Sequence, residues 1–246
     1  MSFRVPSRVI GHRGAAAHAP ENTLAGFAAA VRLGVRWIEL DVQLTADGVP
    51  VVFHDDRLDR TTDGCGLLVE TSLADLRRLD AGRWFAERFA GERIPTLVEA
   101  LSFLVEQGQG LCLEIKADEA RGETTAKEAL ACLRQHWPAD GPPLMVSSFA
   151  KSALTALAEV GSVWPRGWLV DVLPDGWQGE VQRLGCCSLH VNHRSLDETL
   201  ARAIKKEGLA LLAYTVNVRQ RAEHLWGWGT DALFSDCPEQ LLKSVG

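Results

Sequence analysis

Short apolar runs alternate with helical stretches along almost the whole chain. Arg8–Gly11, Trp37–Leu44, Leu111–Lys116, Leu144–Ser148, Gly167–Val170, Ser188–Val191, Leu209–Thr215 and Ala232–Phe234 have the length and apolar character of strands. The helices between them carry readable start and stop signals. Asn22 is placed to cap a helix running through Val31, and Thr96 with Glu99 forms a capping box. A further helix, Leu196–Glu207, ends at Gly208 as a C-terminal glycine stop requires. Strands separated by helices pair in parallel through right-handed crossovers. Eight such units predict an α/β fold of the closed (β/α)8 TIM-barrel type. The alternative is an open doubly wound sheet, but no dinucleotide-type glycine fingerprint supports it.

One stretch breaks the alternation. Gly48–Phe53 reads as an extra strand after the Asp47-Gly48 turn. No barrel strand follows from Asp55 to about Pro95; Thr61–Gly66 reads as a loop, and Ser72 caps a short helix that closes near Gly82. The chain therefore reads as a single domain, 1–246, with a small cap inserted over about 55–95, after the second barrel strand. That position lies over the C-terminal mouth, where such barrels place their active sites.

Two of the predicted strands carry charge where a buried strand should be apolar. In Trp37–Val42, Ile38, Leu40 and Val42 share one face, and Glu39 and Asp41 share the other. In Leu111–Lys116, Glu114 and Lys116 likewise face away from Leu111, Leu113 and Ile115. Barrel strands are buried on both faces, so three carboxylates and one ammonium would point inward. Two carboxylates about 4 Å apart repel by roughly 4 kcal/mol at an effective dielectric near 20. A network with Lys116 as sole counter-charge leaves two negative charges over, whereas a bound divalent cation neutralises them. Glu39, Asp41 and Glu114 are hard oxygen donors, which favours Mg²⁺ or Ca²⁺ over zinc.

His12-Arg13-Gly14 follows the first strand directly, and His54 ends the extra strand. A barrel would gather both on the rim that holds the acidic trio. Two histidines can serve as general acid and general base near neutral pH. Arg13 offers a planar fork for phosphate oxygens, and Lys116 a point charge.

Composition narrows the class. The chain has 246 residues, 46% of them hydrophobic, enough for one full core, and no apolar run approaches the length of a membrane-spanning helix. The six cysteines lack the spacing of a zinc site, and the N-terminal residues leave no room for a signal peptide. A reduced, cytoplasmic enzyme without a membrane anchor is expected, as a monomer or homodimer. A net charge of −6 argues against a nucleic-acid partner. It leaves room for a small anionic substrate, drawn to a pocket made positive by a metal, Arg13 and Lys116.

Taken together, these residues resemble the glycerophosphodiester phosphodiesterase family, in its cytoplasmic bacterial branch. The resemblance covers nearly the whole chain. It runs through Gly11-His12-Arg13-Gly14, Pro20-Glu21-Asn22-Thr23, Glu39-Leu40-Asp41-Val42 and His54-Asp55, leading to Leu58-Asp59-Arg60-Thr61-Thr62-Asp63-Gly64. It continues through Leu79-Asp80-Ala81-Gly82, Ile94-Pro95-Thr96-Leu97, Glu114-Ile115-Lys116, Ser148-Phe149 and Tyr214-Thr215-Val216-Asn217. Each motif alone is weak; their order makes the set specific. The resemblance implies metal-dependent hydrolysis of glycerophosphodiesters to sn-glycerol 3-phosphate and an alcohol, through a cyclic phosphate. It implies His12 and His54 as the acid/base pair and Glu39, Asp41 and Glu114 as ligands of one divalent cation. Arg13 and Lys116 would contact phosphate, and Phe149 and Tyr214 the substrate, although many relatives carry tryptophan at the Tyr214 position. Glu21 would brace Arg13 or the metal, and Asn217 would cap the next helix. The cluster His190-Val191-Asn192-His193 has no family role and is expected at the rim or surface. Met1–Phe3 and the last residues carry no functional signal. Three other readings fit less well. A related phospholipase-type phosphodiesterase would use the same site on lipids, but the N-terminus offers no membrane anchor and the chain no long apolar face. A silent glycerophosphodiester-binding module should have lost one of these residues, and a metal-dependent amidohydrolase should show His-x-His on strand one.

Overall fold

In the computed structural model, which describes residues 5–242, the first predicted strand pairs with both its successor and the last strand of the chain. That double pairing is what closes the sheet. The chain runs β1 (Val9–Gly11), α1 (Leu24–Arg32), β2 (Trp37–Leu44), β3 (Pro50–Val52), α2 (Leu73–Leu76), α3 (Leu97–Glu106), β4 (Gly110–Ile115) and α4 (Gly122–His136). It continues β5 (Leu144–Ser148), α5 (Lys151–Glu159), β6 (Arg166–Val170), α6 (Trp177–Leu184), β7 (Ser188–Asn192), α7 (Glu198–Lys206), β8 (Ala210–Tyr214), α8 (Arg219–Gly227), β9 (Ala232–Ser235) and α9 (Glu239–Leu242). Eight strands pair in parallel around a closed barrel, and β3 joins the end of β2 antiparallel, with Val42 opposite Val52. Met1–Phe3 and the last residues, expected to carry no function, lie outside the described residues apart from Leu241 and Leu242.

The alternation read in β2 sorts its side chains into two cores. Ile38, Leu40 and Val42 pack outward against the helices, among Phe27, Ala30, Leu97 and Leu101. Inside the barrel, Trp37 fills a lower layer with Ile10, Cys112, Met145, Leu212 and Phe234. Burying such side chains is worth roughly 1.5–3 kcal/mol each, so these apolar layers carry the fold. The next inward positions above them are Glu39 and Asp41, and the carboxylates therefore stand above an apolar floor.

The helix starts and the insertion differ in detail from the sequence reading. Thr23, not Asn22, caps α1, its hydroxyl accepting from the Gly26 amide at 3.1 Å. Both residue types favour this position; Asn22 is drawn away by a stronger demand described below. The helix capped by Ser72 is a single turn that stops at Leu76 rather than near Gly82. The rest of the insertion is turns and short 3₁₀ segments over a small cluster of its own, in which Leu58, Leu68, Leu76, Ala81 and Ile94 pack beneath Val51 and Phe53. Gly14 has φ +92°, and a Cβ there would lie 2.6 Å from the Gly26 carbonyl carbon, so only glycine lets the β1 loop sit against α1. Among the described residues no helix is long and apolar enough to cross a membrane.

Candidate active site

Strands β2 and β4 pair in register, with Asp41 opposite Glu114, and this brings the predicted acidic trio together. Glu39, Asp41 and Glu114 are all buried, and each offers a carboxylate oxygen within 4.8 Å of the others. Burial and mutual repulsion push the Glu39 carboxyl well above its usual range, and burial beside Asp41 lifts Glu114 to about 7. Burial also opposes ionisation of Asp41, but Arg13, His54 and Lys116, with a hydrogen bond from Asn22, hold it below its usual range. One Glu39 oxygen accepts from the Arg13 amide at 2.8 Å, and the other has no partner. An orphaned buried oxygen in an all-oxygen donor set fits a hard divalent cation.

Asn22 completes this corner. Its side-chain amide donates to Asp41 at 2.8 Å and its carbonyl accepts from the Asp41 amide at 3.3 Å, with φ +56° at Asn22 itself. Partners that orient a ligating carboxylate typically contribute 10–100-fold to metal affinity. Asn22→Ala is therefore expected to weaken divalent-ion binding by about that factor, and calorimetric titration showing unchanged affinity would remove Asn22 from the metal corner.

His12 and His54 stand at this rim, each with Nδ1 bound to a carboxylate. His12 meets Asp236 at 2.7 Å and His54 meets Asp55 at 2.6 Å. Burial opposes ionisation of Asp236, but hydrogen bonds from His12 and Asn217 outweigh it and keep the carboxyl below its usual range. Asn217 donates to Asp236 at 2.7 Å; it does not cap α8, where Val218 stands. Burial, with Arg13 and Lys116 nearby, lowers the His54 pKa, while Asp41 and Asp55 raise it in part. The Gln43 side-chain amide reaches the carbonyls of Phe53, His54 and Asp55 at 3.1, 3.0 and 2.8 Å, fixing the backbone that carries His54.

The two cations have separate supports. Arg13 donates to Glu21 at 2.7 Å, and its Nε lies 3.4 Å from Asp41 without the alignment of a hydrogen bond. Burial works against its charge, but Asp41, Glu21 and Glu39 hold its pKa above the ordinary value. Lys116 donates to Glu114 at 3.2 Å and lies 5.5 Å from the centre of the Phe149 ring. Arg60, from the insertion, binds both Glu21 oxygens at 2.8 and 2.7 Å and both Asp55 oxygens at 2.5 and 2.8 Å. One side chain thus joins the partner of Arg13 to the partner of His54.

These groups surround a cavity of about 260 Å³ lined by His12, Arg13, Glu39, His54, Glu114 and Lys116. Phe149 and Tyr214 form one side of its mouth, their rings edge-to-face at 5.9 Å. The Tyr214 hydroxyl is engaged away from the acidic trio, donating to the Val170 carbonyl at 2.9 Å with Asp171 at 3.2 Å. His190, expected at the rim or surface, is fully buried in the inner wall and lines the cavity. His193 lies away from it, beside Arg221 at 3.3 Å.

The sequence profile of the Glycerophosphoryl diester phosphodiesterase family matches residues 12–240. The chain belongs to this family. A glycerophosphodiester phosphodiesterase of Caldanaerobacter subterraneus is 34% identical over 238 residues, covering 96% of this chain and 97% of its own. An Oleispira antarctica phosphodiesterase, solved in complex with the product sn-glycerol-3-phosphate, superposes with a TM-score of 0.94 at 42% identity, over 97% of this chain and 96% of its own. The glycerophosphodiester phosphodiesterase of Agrobacterium tumefaciens gives 0.81 at 27% identity, over 96% of this chain and 99% of its own. The enzyme is thus a glycerophosphodiester phosphodiesterase on a TIM barrel.

Sequence reasoning left several site residues unseen. Asp55 and Asn22 lay inside quoted motifs, but nothing local says that Asp55 faces His54 or that Asn22 leaves its helix. Asp236 lies 224 positions from His12, and only barrel closure brings β9 beside β1. For His190 a signal existed: Ser188 and His190 alternate with the outward Leu189 and Val191.

Proposed function

We propose that this phosphodiesterase hydrolyses glycerophosphodiesters to sn-glycerol 3-phosphate and an alcohol such as choline, ethanolamine or glycerol. The observation that carries the reading is the acidic trio, two of whose members, Glu39 and Glu114, line the cavity together with two carboxylate-backed histidines. Glu39, Asp41 and Glu114 would hold the divalent cation, Mg²⁺ or Ca²⁺, which when bound supplies Lewis-acid stabilisation of charge on a phosphate oxygen. Arg13 and Lys116 bind the remaining phosphate oxygens and hold phosphorus in place. One histidine takes the proton of the glycerol 2-hydroxyl as its oxygen attacks phosphorus. The bond to the alcohol breaks, and the other histidine gives that oxygen a proton. Water then opens the cyclic phosphate with the two histidines exchanging roles, leaving sn-glycerol 3-phosphate and both residues as they began. Phe149 and Tyr214 wall the mouth against the organic parts of the substrate, and the 55–95 insertion acts as a cap that helps to position it.

The test is product analysis. Metal-stripped enzyme is expected to release sn-glycerol 3-phosphate from glycerophosphodiesters only after Mg²⁺ or Ca²⁺ is added back. Absence of that product from every diester tried, with either ion, would overturn the reading.

A further inference from the structure

Among the described residues, three that line the cavity each carry a buried polar atom without a hydrogen-bond partner: Arg13 at Nε, Glu39 at Oε1 and His190 at Nδ1. The first belongs to the phosphate site and the second to the cation. His190 has no part in the chemistry above. It stands on β7 with no solvent exposure, its ring packed 5.4 Å from that of Phe234. One edge of the ring is already used. Nε2 lies 3.2 Å from the Ser188 hydroxyl, and it leans on Gly167, where an added Cβ would come within 2.4 Å of it. The Ser188 hydroxyl also has the Arg166 carbonyl at 3.5 Å as an acceptor for its own proton; in that arrangement Nε2 donates to the Ser188 oxygen and Nδ1 keeps a bare lone pair. Burial drives the His190 pKa down to about 3, so the ring stays neutral at working pH.

A buried acceptor left empty in the resting protein calls for a donor on the ligand. In the glycerol half of the substrate the phosphate has Arg13 and Lys116, and the 2-hydroxyl gives its proton to a histidine. The terminal hydroxyl is the donor that remains. We propose that Nδ1 of His190 accepts a hydrogen bond from the terminal hydroxyl of the glycerol moiety, which makes His190 a specificity-determining residue for glycerol-containing diesters. The proposal rests on the glycerophosphodiester reading above and names the wall of the cavity against which the glycerol lies.

The test compares glycerophosphocholine with the same diester built on propane-1,2-diol, which keeps the attacking hydroxyl and lacks the terminal one. Wild-type kcat/KM is expected to fall about ten- to a hundredfold between them, the usual effect of leaving a buried partner unpaired. His190→Phe keeps the ring volume beside Phe234 and removes the acceptor, so it should lose the discrimination and use both substrates equally. His190→Asn returns an acceptor close to the Nδ1 position and should restore part of it. In wild-type enzyme the ¹⁵N signal of His190 Nδ1 should move upfield with sn-glycerol 3-phosphate but not with inorganic phosphate, a readout that needs no variant to fold. Equal use of the two diesters by wild type, discrimination that persists in His190→Phe, or an unmoved nitrogen signal would each overturn the proposal. Failure to release sn-glycerol 3-phosphate from glycerophosphocholine would instead defeat the functional reading itself.

Discussion

His12→Ala and His54→Ala are each expected to lower kcat by at least ~10²-fold, the usual scale for losing a positioned acid or base, while metal affinity stays near wild type. The two residues are built alike. Each has its Nδ1 tied to a carboxylate, Asp236 or Asp55, which leaves Nε2 for proton transfer and fixes the plane of the ring. One must be neutral to take a proton while the other is charged to give one, so neither covers for its partner. The wild-type pH–rate profile should therefore be bell-shaped, with limbs that belong to the coupled pair. Steady-state kinetics on the purified variants decide the matter, and full activity in either would remove that histidine from the mechanism. A diester lacking the 2-hydroxyl should bind and hardly react; its rapid turnover would replace internal attack by direct attack of water.

Removal of the divalent ion should abolish turnover, and Glu39→Gln, Asp41→Asn and Glu114→Gln should each weaken ion binding, with activity partly recovered at high ion concentration. Unchanged affinity in all three by calorimetry would sink the assignment. The pH dependence follows from the raised carboxyls. In the metal-free fold Glu114 keeps its proton up to about 7, against an ordinary value of 4.5, and Glu39 is raised as well. The folded state then binds more protons than the unfolded chain across this window. Its stability contribution is present below the ordinary carboxyl range and is lost as pH rises through about 7. A bound cation requires the ionised form and removes that loss. The gap in melting temperature between ion-saturated and stripped protein should therefore widen from pH ~5 to ~8. His54, His190 and His193, whose pKa values are lowered in the fold, contribute with the opposite sign. A gap that is constant across this range would contradict the raised carboxyls.

The barrel was legible because its strands are buried on both faces, so any inward charge stands out against the alternation. Glu39, Asp41, Glu114 and Lys116 could be singled out for that reason, and the closed structure only had to bring β2 and β4 into register. What stayed hidden depended on the third dimension. Asn22 is the better helix cap of the two in a sequence, and only Asp41, 19 positions away, turns it aside and leaves the cap to Thr23. The carboxylates behind His12 and His54 are ordinary aspartates until chain closure and a tight turn place them. The insertion was visible as an interruption, but its turns follow a small cluster under Phe53 that has no period to read.

The position of Arg60 has a consequence for how this enzyme can change. Roughly half exposed itself, it holds both oxygens of two less exposed carboxylates, Glu21 and Asp55. It binds both Glu21, the partner of Arg13, and Asp55, the partner of His54. A substitution there would release two arms of the site at once. An insertion exchanged between relatives would have to bring this arginine with it to keep the two supports joined.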